Sequence, residues 1–339
     1  MNWTRGKTLG RGSTATVSAA TCHESGETLA VKSAEFHRSE FLQREAKILS
    51  SLNSPYVIGY RGCEITREPF HNNGEATTYS LLMEYAPYGT LTDVATKNGG
   101  FIDEARVVKY TRQILLGLEY IHNSKGIAHC DIKGSNVLVG ENGEAKIADF
   151  GCAKWVEPEI TEPVRGTPAF MAPEAARGER QGKESDIWAV GCTVIEMVTG
   201  SQPWIGADFT DPVSVLYRVG YLGELPELPC SLTEQAKDFL GKCLKKEATE
   251  RWTASQLLNH PFLVNKEPEL VTGLVTNSPT SVTDQMFWRS VEEEVSEDRS
   301  SWWECHEDER IGVLSWIGHV VVESTWDLDG EDWITVRRN

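Results

Sequence analysis

The stretch HCDIKGSN at residues 129–136 and the tripeptide DFG at residues 149–151 carry the strongest chemical signal in this sequence. The longer stretch directly follows a predicted helix and precedes the apolar residues VLV. Asp131, Asn136 and Asp149 offer the hard oxygen ligands that Mg²⁺ prefers, and at this spacing one carboxylate remains to accept a proton from a hydroxyl group. The pattern therefore predicts a site where a metal ion and a proton-accepting carboxylate act together.

A lysine and a glutamate nearer the start of the chain fit the same chemistry. Lys32 lies in a predicted strand, in the sequence AVK at residues 30–32, and Glu45 follows thirteen positions later in a predicted helix. A strand lysine that holds nucleotide phosphates needs a carboxylate to orient it, and a helix packed against the strand can supply Glu45. Taken alone, one Lys and one Glu are more often solvated surface residues.

A glycine-rich segment, GRGSTATV at residues 10–17, lies between two predicted strands. Glycines let a backbone approach phosphates closely and direct N–H groups at them. Ala15 stands where the third glycine of the G-x-G-x-x-G pattern would be. For this segment alone, a β-turn that binds no ligand is therefore an equal interpretation.

The periodicity of apolar residues changes along the chain. Up to about residue 83 it is mainly that of strands, with one helix predicted at residues 39–52. From residue 104 helical periodicity dominates, and the near-apolar run at 187–198 is predicted to be a buried core helix. This order predicts the α+β class, with a ligand site in the cleft between a β-rich lobe and a larger helical lobe. The apolar stripe predicted for the early helix consists of Phe41, Ala46, Ile48, Leu49 and Leu52.

In this order, the segments above and the tripeptide APE at residues 172–174 resemble the eukaryotic protein kinase domain. The resemblance covers residues 3–263 and implies the two-lobed protein kinase fold. In that fold a small antiparallel β-sheet lobe with one main helix precedes a larger, mainly helical lobe. The expected boundaries are 3–83 for the small lobe, 84–88 for the hinge and 89–263 for the large lobe.

The resemblance also implies roles for individual residues. Asp131 would orient the substrate hydroxyl and accept its proton, and Lys133 would neutralise charge on the phosphoryl group in transit. Asn136 and Asp149 would hold Mg²⁺, with ATP as the co-substrate. The backbone of residues 84–86 would receive adenine. The positions expected to bind ATP are Leu9, Gly10, Gly12, Ala15, Val17, Ala30, Lys32, Glu45, Met83, Glu84 and Ala86.

Three further residues would support the large lobe in this family. Glu174 is expected to pair with Arg251, and Asp186 is expected to anchor the catalytic loop from the start of a buried helix. An acidic residue at a helix N-terminus is also favoured by the helix dipole alone, and the two interpretations are compatible.

Two residues indicate which hydroxyl is phosphorylated. Lys133 and Thr167, the latter in the segment GTPAFMAPE at 166–174, are typical of serine/threonine kinases rather than tyrosine kinases. This segment and the opening sequence WTRGKTLGRG at 3–12 resemble the mitogen-activated protein kinase kinase kinases of the MEKK-like branch, particularly those of plants. That group phosphorylates mitogen-activated protein kinase kinases, which are therefore the expected protein substrates. A serine/threonine kinase of another pathway is the alternative.

The sequence departs from the family pattern at Cys130, which replaces the arginine that normally precedes the catalytic aspartate. That arginine pairs with a phosphorylated activation-loop residue, a contact that a neutral thiol cannot make. Thr161 is the only Ser, Thr or Tyr between Asp149 and Gly166. We therefore predict that loop phosphorylation matters less here and that control comes from protein abundance or from the tail. Cys130 is predicted to pack as a small apolar side chain, with a redox-sensing thiol as the alternative.

Charge and cysteine spacing disfavour several other functions. The formal net charge is −17 and the pI is near 5.0, so neither nucleic acid nor an anionic membrane surface is expected as a partner. Membrane insertion is not expected either, because the longest near-apolar run, at 187–198, is too short to span a bilayer. The eight cysteines form no C-x-x-C pair, which favours a reducing compartment over a zinc site or a disulfide framework. With no apolar leader sequence and no run long enough to span a bilayer, the expected location is the cytoplasm, the nucleus or both.

The C-terminal tail at 264–339 is acidic and carries many tryptophans. It has 17 Asp and Glu against 6 Lys and Arg, and six of the chain's 11 tryptophans. Aromatic residues on a polar background are a common interaction surface, so one interpretation is a docking or autoinhibitory segment, and the other is a solvating tail. A kinase-fold scaffold without catalysis is a further alternative. This scaffold interpretation is disfavoured because the sequence retains all five residues of the proposed chemistry, which are Lys32, Glu45, Asp131, Asn136 and Asp149.

Overall fold

The computed structural model describes residues 2–12, 14–69, 75–156, 163–204 and 211–264. Thr161 and the tail from residue 265 onward lie outside these ranges. The described residues form a small β-rich lobe and a larger helical lobe, which confirms the predicted α+β class. Within these ranges, no helix combines the length and the apolar composition that crossing a lipid bilayer requires.

The small lobe is built on a five-stranded antiparallel sheet, whose strands are β1 (Trp3–Arg11), β2 (Thr16–Cys22), β3 (Thr28–Glu35), β4 (Tyr60–Pro69) and β5 (Glu75–Glu84). Their order in the sheet is β1-β2-β3-β5-β4. The turn between β2 and β3 contains Gly26 at a φ of 71°, a left-handed conformation that glycine adopts without a steric penalty. In this register Lys32 lies between Val17 on β2 and Leu81 on β5, at the centre of the sheet.

One helix, α1 (Glu40–Ser50), packs against this sheet. The prediction that Phe41 belongs to its buried face is wrong, because the Phe41 side chain is 36% exposed. Phe41 lies about 100° around the helix from Leu42, at the edge of the apolar stripe and in the first turn. Its ring packs instead under the guanidinium of Arg165, with Cζ 5.1 Å from the ring centroid. The buried face consists of Leu42, Glu45, Ala46, Ile48 and Leu49.

The large lobe is mainly helical. At its centre lies the helix predicted from the near-apolar run at 187–198, and Trp188 in this helix is fully buried. The helices are α2 (Leu91–Lys97), α3 (Glu104–Glu119), α4 (Pro173–Ala176), α5 (Lys183–Thr199), α6 (Pro212–Tyr217), α7 (Glu234–Cys243) and α8 (Ala254–Leu257). Short 3₁₀ turns of this lobe lie at Gly134–Asn136, Phe150–Cys152, Pro168–Phe170 and Ala248–Glu250, and π-helical turns lie at Tyr120–Ser124 and Arg218–Leu222; one further 3₁₀ turn, Phe36–Arg38, lies in the small lobe between β3 and α1.

Two short antiparallel pairs of strands position the catalytic motifs. The strands are β6 (Ile127–Ala128), β7 (Val137–Val139), β8 (Ala145–Ile147) and β9 (Lys154–Trp155), and β6 pairs with β9 while β7 pairs with β8. The segment 129–136 runs from β6 to β7, and the segment 149–151 lies between β8 and β9. Both motifs are therefore tied together at each end by backbone hydrogen bonds.

Candidate active site

Three charged side chains meet between the two lobes. Lys32 on β3 donates hydrogen bonds to Glu45 Oε2 at 2.9 Å and to Asp149 Oδ1 at 3.0 Å. Glu45 is only 2% exposed because it lies on the buried face of α1. These charge-assisted contacts join the sheet, the helix and the DFG segment through a single lysine.

The pKa of each member of this triad is shifted. Burial raises the pKa of Glu45, and attraction to Lys32 offsets only part of that effect. Burial also acts to raise the pKa of Asp149, but the Lys32 ammonium and the N–H of Gly151 outweigh it, so this pKa is lowered. For Lys32, burial acts to lower the pKa, and the nearby Asp149 and Glu45 carboxylates raise it above the ordinary value. When all three groups are ionised, the triad carries one excess negative charge, which favours a cation nearby.

The DFG segment is fixed by contacts on both sides. Asp149 has a φ of 59°, a strained conformation for a residue with a side chain, at a cost of about 1–3 kcal/mol. Its Oδ1 accepts a hydrogen bond from the N–H of Gly151 at 3.2 Å. The N–H of Phe150 donates to Glu45 Oε1 at 3.3 Å, and its buried ring meets the His129 ring edge to face at 4.9 Å. These contacts hold the Asp149 carboxylate toward Lys32.

The Asp131 carboxylate is held by donors on both of its oxygens. Oδ1 accepts hydrogen bonds from the N–H of Thr167 at 3.0 Å and from its hydroxyl at 2.8 Å. Oδ2 accepts from Asn136 Nδ2 at 2.7 Å, and Lys133 Nζ lies 3.9 Å from it. Asp131 is 2% exposed, so these bonds fix one orientation of the carboxylate. The arrangement can orient a hydroxyl group and accept its proton beside a positive charge.

Asp186 supports the backbone that leads into Asp131. Its Oδ2 accepts from the N–H of His129 at 2.8 Å and its Oδ1 accepts from the N–H of Cys130 at 2.7 Å. His122 Nε2 lies 2.8 Å from the same Oδ2. Asp186 is fully buried in the first turn of α5, and Cys130 has a φ of 67°. The core helix thus holds the catalytic loop in a conformation that a non-glycine residue rarely adopts.

The Cys130 side chain behaves as a packed apolar group. It is 7% exposed and forms a small cluster with Ala128 and Cys152. Burial raises the pKa of the neighbouring Cys152 thiol well above its ordinary value. The burial of Cys130 and its apolar neighbours agree with the packing interpretation of this residue.

Glu174 and Arg251 form the predicted pair. Arg251 donates to Glu174 Oε1 at 2.7 Å and to Oε2 at 2.6 Å, and the Ser185 hydroxyl also donates to Oε1 at 2.7 Å. Burial acts to raise the pKa of Glu174, but these bonds outweigh it and hold the pKa below its ordinary value. The pair ties α4 to the turn before α8, and α4 directly follows residues 163–172, the described part of the activation segment.

The residues expected to bind ATP line one end of the small lobe. Gly10 on β1 faces Val17 on β2, and the N–H of Gly12 donates to the carbonyl of Ala15 at 2.9 Å across the hairpin. In the paired strands β3 and β5, Ala30 faces Met83. The structure thus places Gly10, Val17, Ala30 and Met83 on neighbouring strands, with Gly12 and Ala15 in the hairpin between β1 and β2 and Leu9 in β1 at 40% exposure.

The segment after β5 offers backbone groups to a ligand. The Glu84 carboxylate is already engaged, because it accepts from Lys146 Nζ at 2.6 Å and from the N–H of Gly59 at 3.0 Å. The Ala86 carbonyl accepts from the N–H of Gly89 at 3.3 Å. Among the described residues, the N–H of Ala86 donates to no backbone carbonyl. It is therefore a donor that a planar heterocycle can use.

Asn136 and Asp149 fit a divalent cation that is bound together with phosphate. Asn136 uses Nδ2 on Asp131, and in the described part of the chain no hydrogen bond reaches Asn136 Oδ1 or Asp149 Oδ2. The described residues contain no group of three or more His, Cys, Asp or Glu side chains suited to a metal. The site thus offers two oxygen ligands rather than a closed cage. Mg²⁺ commonly binds in this way, with phosphate oxygens and water completing its shell.

The sequence patterns did not identify two residues that support the site, Glu196 and Gln181. Glu196 Oε2 on α5 accepts from the N–H of Gly134 at 2.8 Å, and burial raises the Glu196 pKa although Gly134 and Lys133 oppose that shift. A carboxylate inside an apolar helix was a signal that could have identified it. Gln181 Nε2 donates to the Cys130 carbonyl at 3.2 Å, and nothing in the sequence pattern marks this residue.

Comparison with known families matches residues 3–263 to the protein kinase domain, and the chain therefore belongs to the protein kinase family. It is 69% identical to mitogen-activated protein kinase kinase kinase 17 of Arabidopsis thaliana, over 99% of this chain and 93% of that protein. It is 42% identical to mitogen-activated protein kinase kinase kinase 20 of the same plant, over 78% of each chain. These similarities confirm the resemblance stated above: the chain is an ATP-dependent serine/threonine protein kinase of the mitogen-activated protein kinase kinase kinase group.

Proposed function

We propose that this kinase phosphorylates mitogen-activated protein kinase kinases on serine or threonine, using Mg·ATP. The observation that carries phosphoryl transfer is the contact of Lys32 with both Glu45 and Asp149, beside an Asp131 carboxylate held by Thr167. The substrate class is supported by the similarity to kinase kinase kinase 17, which extends over 93% of that protein.

In this proposal each residue acts through position and charge. Asp131 orients the substrate hydroxyl and accepts its proton, and the Lys133 ammonium, 3.9 Å from Asp131 Oδ2, neutralises charge on the transferred group. Lys32 binds the nucleotide phosphates, since Glu45 and Asp149 keep it charged and oriented. Because the transition state of phosphoryl transfer is loose, positioning and electrostatics supply most of the rate enhancement.

The metal and nucleotide sites complete the proposal. Asn136 and Asp149 hold Mg²⁺, which stabilises negative charge on the phosphates when it is bound. The backbone of the hinge binds adenine, with the N–H of Ala86 as a donor, and the glycine-rich hairpin covers the phosphates.

A phosphorylation panel tests the substrate class. Purified mitogen-activated protein kinase kinases, made catalytically inactive, are incubated with the full chain and Mg·ATP, and modified sites are mapped by mass spectrometry. We expect serine or threonine phosphorylation on the activation loop of at least one panel member. If a generic basic protein is labelled but no panel member is, the proposed substrate class is wrong.

Two inactive variants and one matched control test the enzyme itself. Lys32→Met and Asp131→Asn remove the proposed ATP contact and the proposed base, so labelling of the generic protein falls at least roughly 100-fold. Lys97→Met makes the same lysine substitution at the exposed C-terminal end of α2 and keeps wild-type labelling. Equal labelling by all four proteins would mean that a contaminating kinase is responsible and that the scaffold alternative holds.

We also propose that the kinase works in the cytoplasm, the nucleus or both. The seven cysteines among the described residues are free thiols, and five of them are buried, which suits a reducing compartment. A fluorescent fusion of the full chain expressed in plant cells tests the location. Signal confined to the secretory pathway would contradict it.

A further inference from the structure

The activation segment touches the catalytic loop at a point where no side chain fits between them. Gly166 has a φ of 127°, and a Cβ atom at this position would lie 2.4 Å from the carbonyl oxygen of Cys130. The next residue, Thr167, donates both of its hydrogen bonds to Asp131. The backbone of residues 165–167 and the backbone of Cys130 must therefore keep a fixed separation if Thr167 is to reach Asp131.

The amide of Gln181 bridges the two backbones at this point. Its Nε2 donates to the Arg165 carbonyl at 2.8 Å and to the Cys130 carbonyl at 3.2 Å. Its Oε1 accepts from the N–H of Arg165 at 3.2 Å. Only a primary amide offers two donors and one acceptor in this order, because both carbonyls need donors and the N–H needs an acceptor.

The anchor of this bridge is rigid and buried. Gln181 is 4% exposed and lies immediately before α5, the core helix whose first turn also holds the catalytic loop through Asp186. Arg165 extends the connection to the small lobe, since its guanidinium packs over the ring of Phe41 on α1. The same helix carries Glu45. One neutral side chain thus sits where the activation segment, the catalytic loop and the core helix meet.

We propose that Gln181 is a positioning residue that fixes residues 165–167 against the catalytic loop and so keeps Asp131 oriented without a phosphate on the activation loop. Cys130 cannot supply a charged contact to a phosphate. The carbonyl of the same residue supplies an acceptor to Gln181 instead. The bridge requires no charge and no modification. The inference rests on the proposed role of Asp131 as the base.

Three measurements on the full chain test the proposal. They are kcat on a generic basic protein, the Kd for Mg·ATP and the Tm of thermal unfolding. Gln181→Leu keeps a similar side-chain volume and removes all three hydrogen bonds. We expect kcat to fall roughly 10- to 100-fold, because displacing a reacting group by a fraction of an ångström has effects of this size. The Kd for Mg·ATP stays at the wild-type value, since Gln181 contacts neither Lys32 nor the hinge.

Gln113→Leu is the matched control. Gln113 also bonds to backbone, accepting from the N–H of Ala145 at 2.8 Å, but it lies on α3 away from Asp131. This variant loses one hydrogen bond to backbone and some stability, yet keeps the wild-type kcat at a temperature where it is folded. If Gln181→Leu loses no more activity than Gln113→Leu, the amide is only structural and the proposal is overturned.

A second variant covers the case in which Gln181→Leu does not fold. Gln181→Glu keeps the shape of the side chain and the acceptor for Arg165, but replaces the two donors by an oxygen facing two carbonyls. We expect kcat to fall while the Kd for Mg·ATP is unchanged, and wild-type kcat would also overturn the proposal. The use of a generic substrate keeps this result separate from the choice of protein substrate, which only the phosphorylation panel tests.

Discussion

Thr167 donates two hydrogen bonds to one oxygen of Asp131, from its N–H at 3.0 Å and from its hydroxyl at 2.8 Å. Only the hydroxyl bond depends on the side chain. A substitution of Thr167 can therefore remove the hydroxyl bond while the backbone N–H bond remains. The contact links the activation segment directly to the proposed base.

Thr167→Val should lower kcat with little change in the Kd for Mg·ATP. Valine has the shape of threonine but lacks the donor, and a hydrogen bond to a charged group contributes about 1.5–3 kcal/mol, or roughly a tenfold to hundredfold change in rate. Thr167→Ser retains the hydroxyl and serves as the control, with activity near that of the wild type. Initial rates at saturating ATP measure the effect. A fully active Thr167→Val would show that the hydroxyl does not orient Asp131.

The sequence predicted the parts of the site that short motifs and helical periodicity encode. The motif order placed Lys32, Glu45 and Asp149 in one group, and the structure brings all three within hydrogen-bond distance. The apolar run at 187–198 likewise predicted the core helix, because a helix that is apolar on all sides must be buried.

Contacts between distant backbone groups could not be predicted in this way. Gln181 lies 51 positions from Cys130 and 16 from Arg165, and its partners are carbonyls whose positions depend on the packed fold. The positive φ of Cys130 could not be predicted for the same reason, because the buried Asp186 carboxylate, 56 positions away, holds this backbone conformation. Phe41 was misplaced because helical periodicity gives the direction of a side chain but not what covers it.

Glu174→Gln should destabilise the large lobe most strongly at neutral pH. The variant leaves Arg251 buried without its carboxylate partner, which costs about 3 kcal/mol in the free energy of unfolding. The folded-state pKa of Glu174 is below its ordinary value of 4.5. The stabilisation is therefore fully present above that ordinary value and is lost as the pH falls through the lowered pKa of the folded state.

Urea unfolding near pH 7 and near pH 4 measures this difference between wild type and variant, which should shrink toward the acidic end. Glu179→Gln is the control, because Glu179 forms an exposed pair with Arg177 and should change stability by less than about 1 kcal/mol. If the difference in the free energy of unfolding between wild type and Glu174→Gln stays constant with pH, the variant has lost packing rather than the ion pair.

Truncation tests where the folded kinase domain ends. A chain that stops at residue 265 keeps Phe262 and Leu263, which are 5% and 3% exposed, and should keep the wild-type Tm. A chain that stops at residue 259 loses the packing of Phe262 on Phe239, whose ring centroids lie 5.1 Å apart. Loss of such a core aromatic costs about 3–5 kcal/mol, so its Tm should fall sharply.

The same shorter chain tests the tail. If residues 266–339 dock substrates or inhibit the domain, the chain ending at residue 265 will phosphorylate a different subset of the panel or show a changed basal rate. An unchanged substrate profile and basal rate would leave the tail as a solvating segment. A lower Tm for this chain would instead place stabilising contacts beyond residue 265.

Thr161→Ala should leave most of the activity intact. The catalytic loop is already held by Asp186, which accepts hydrogen bonds from the N–H groups of His129 and Cys130 at 2.8 and 2.7 Å. A cysteine side chain also cannot carry the positive charge that pairs with a phosphate. Initial rates on a generic substrate, before and after treatment of the kinase with a phosphatase, measure the effect. Thr167→Ala is the comparison, because it removes the hydroxyl contact to Asp131 and should lower kcat in both conditions. Loss of activity in Thr161→Ala together with recovery in Thr161→Glu would show that a negative charge on the loop is required, and that the structure provides a partner for it other than Cys130.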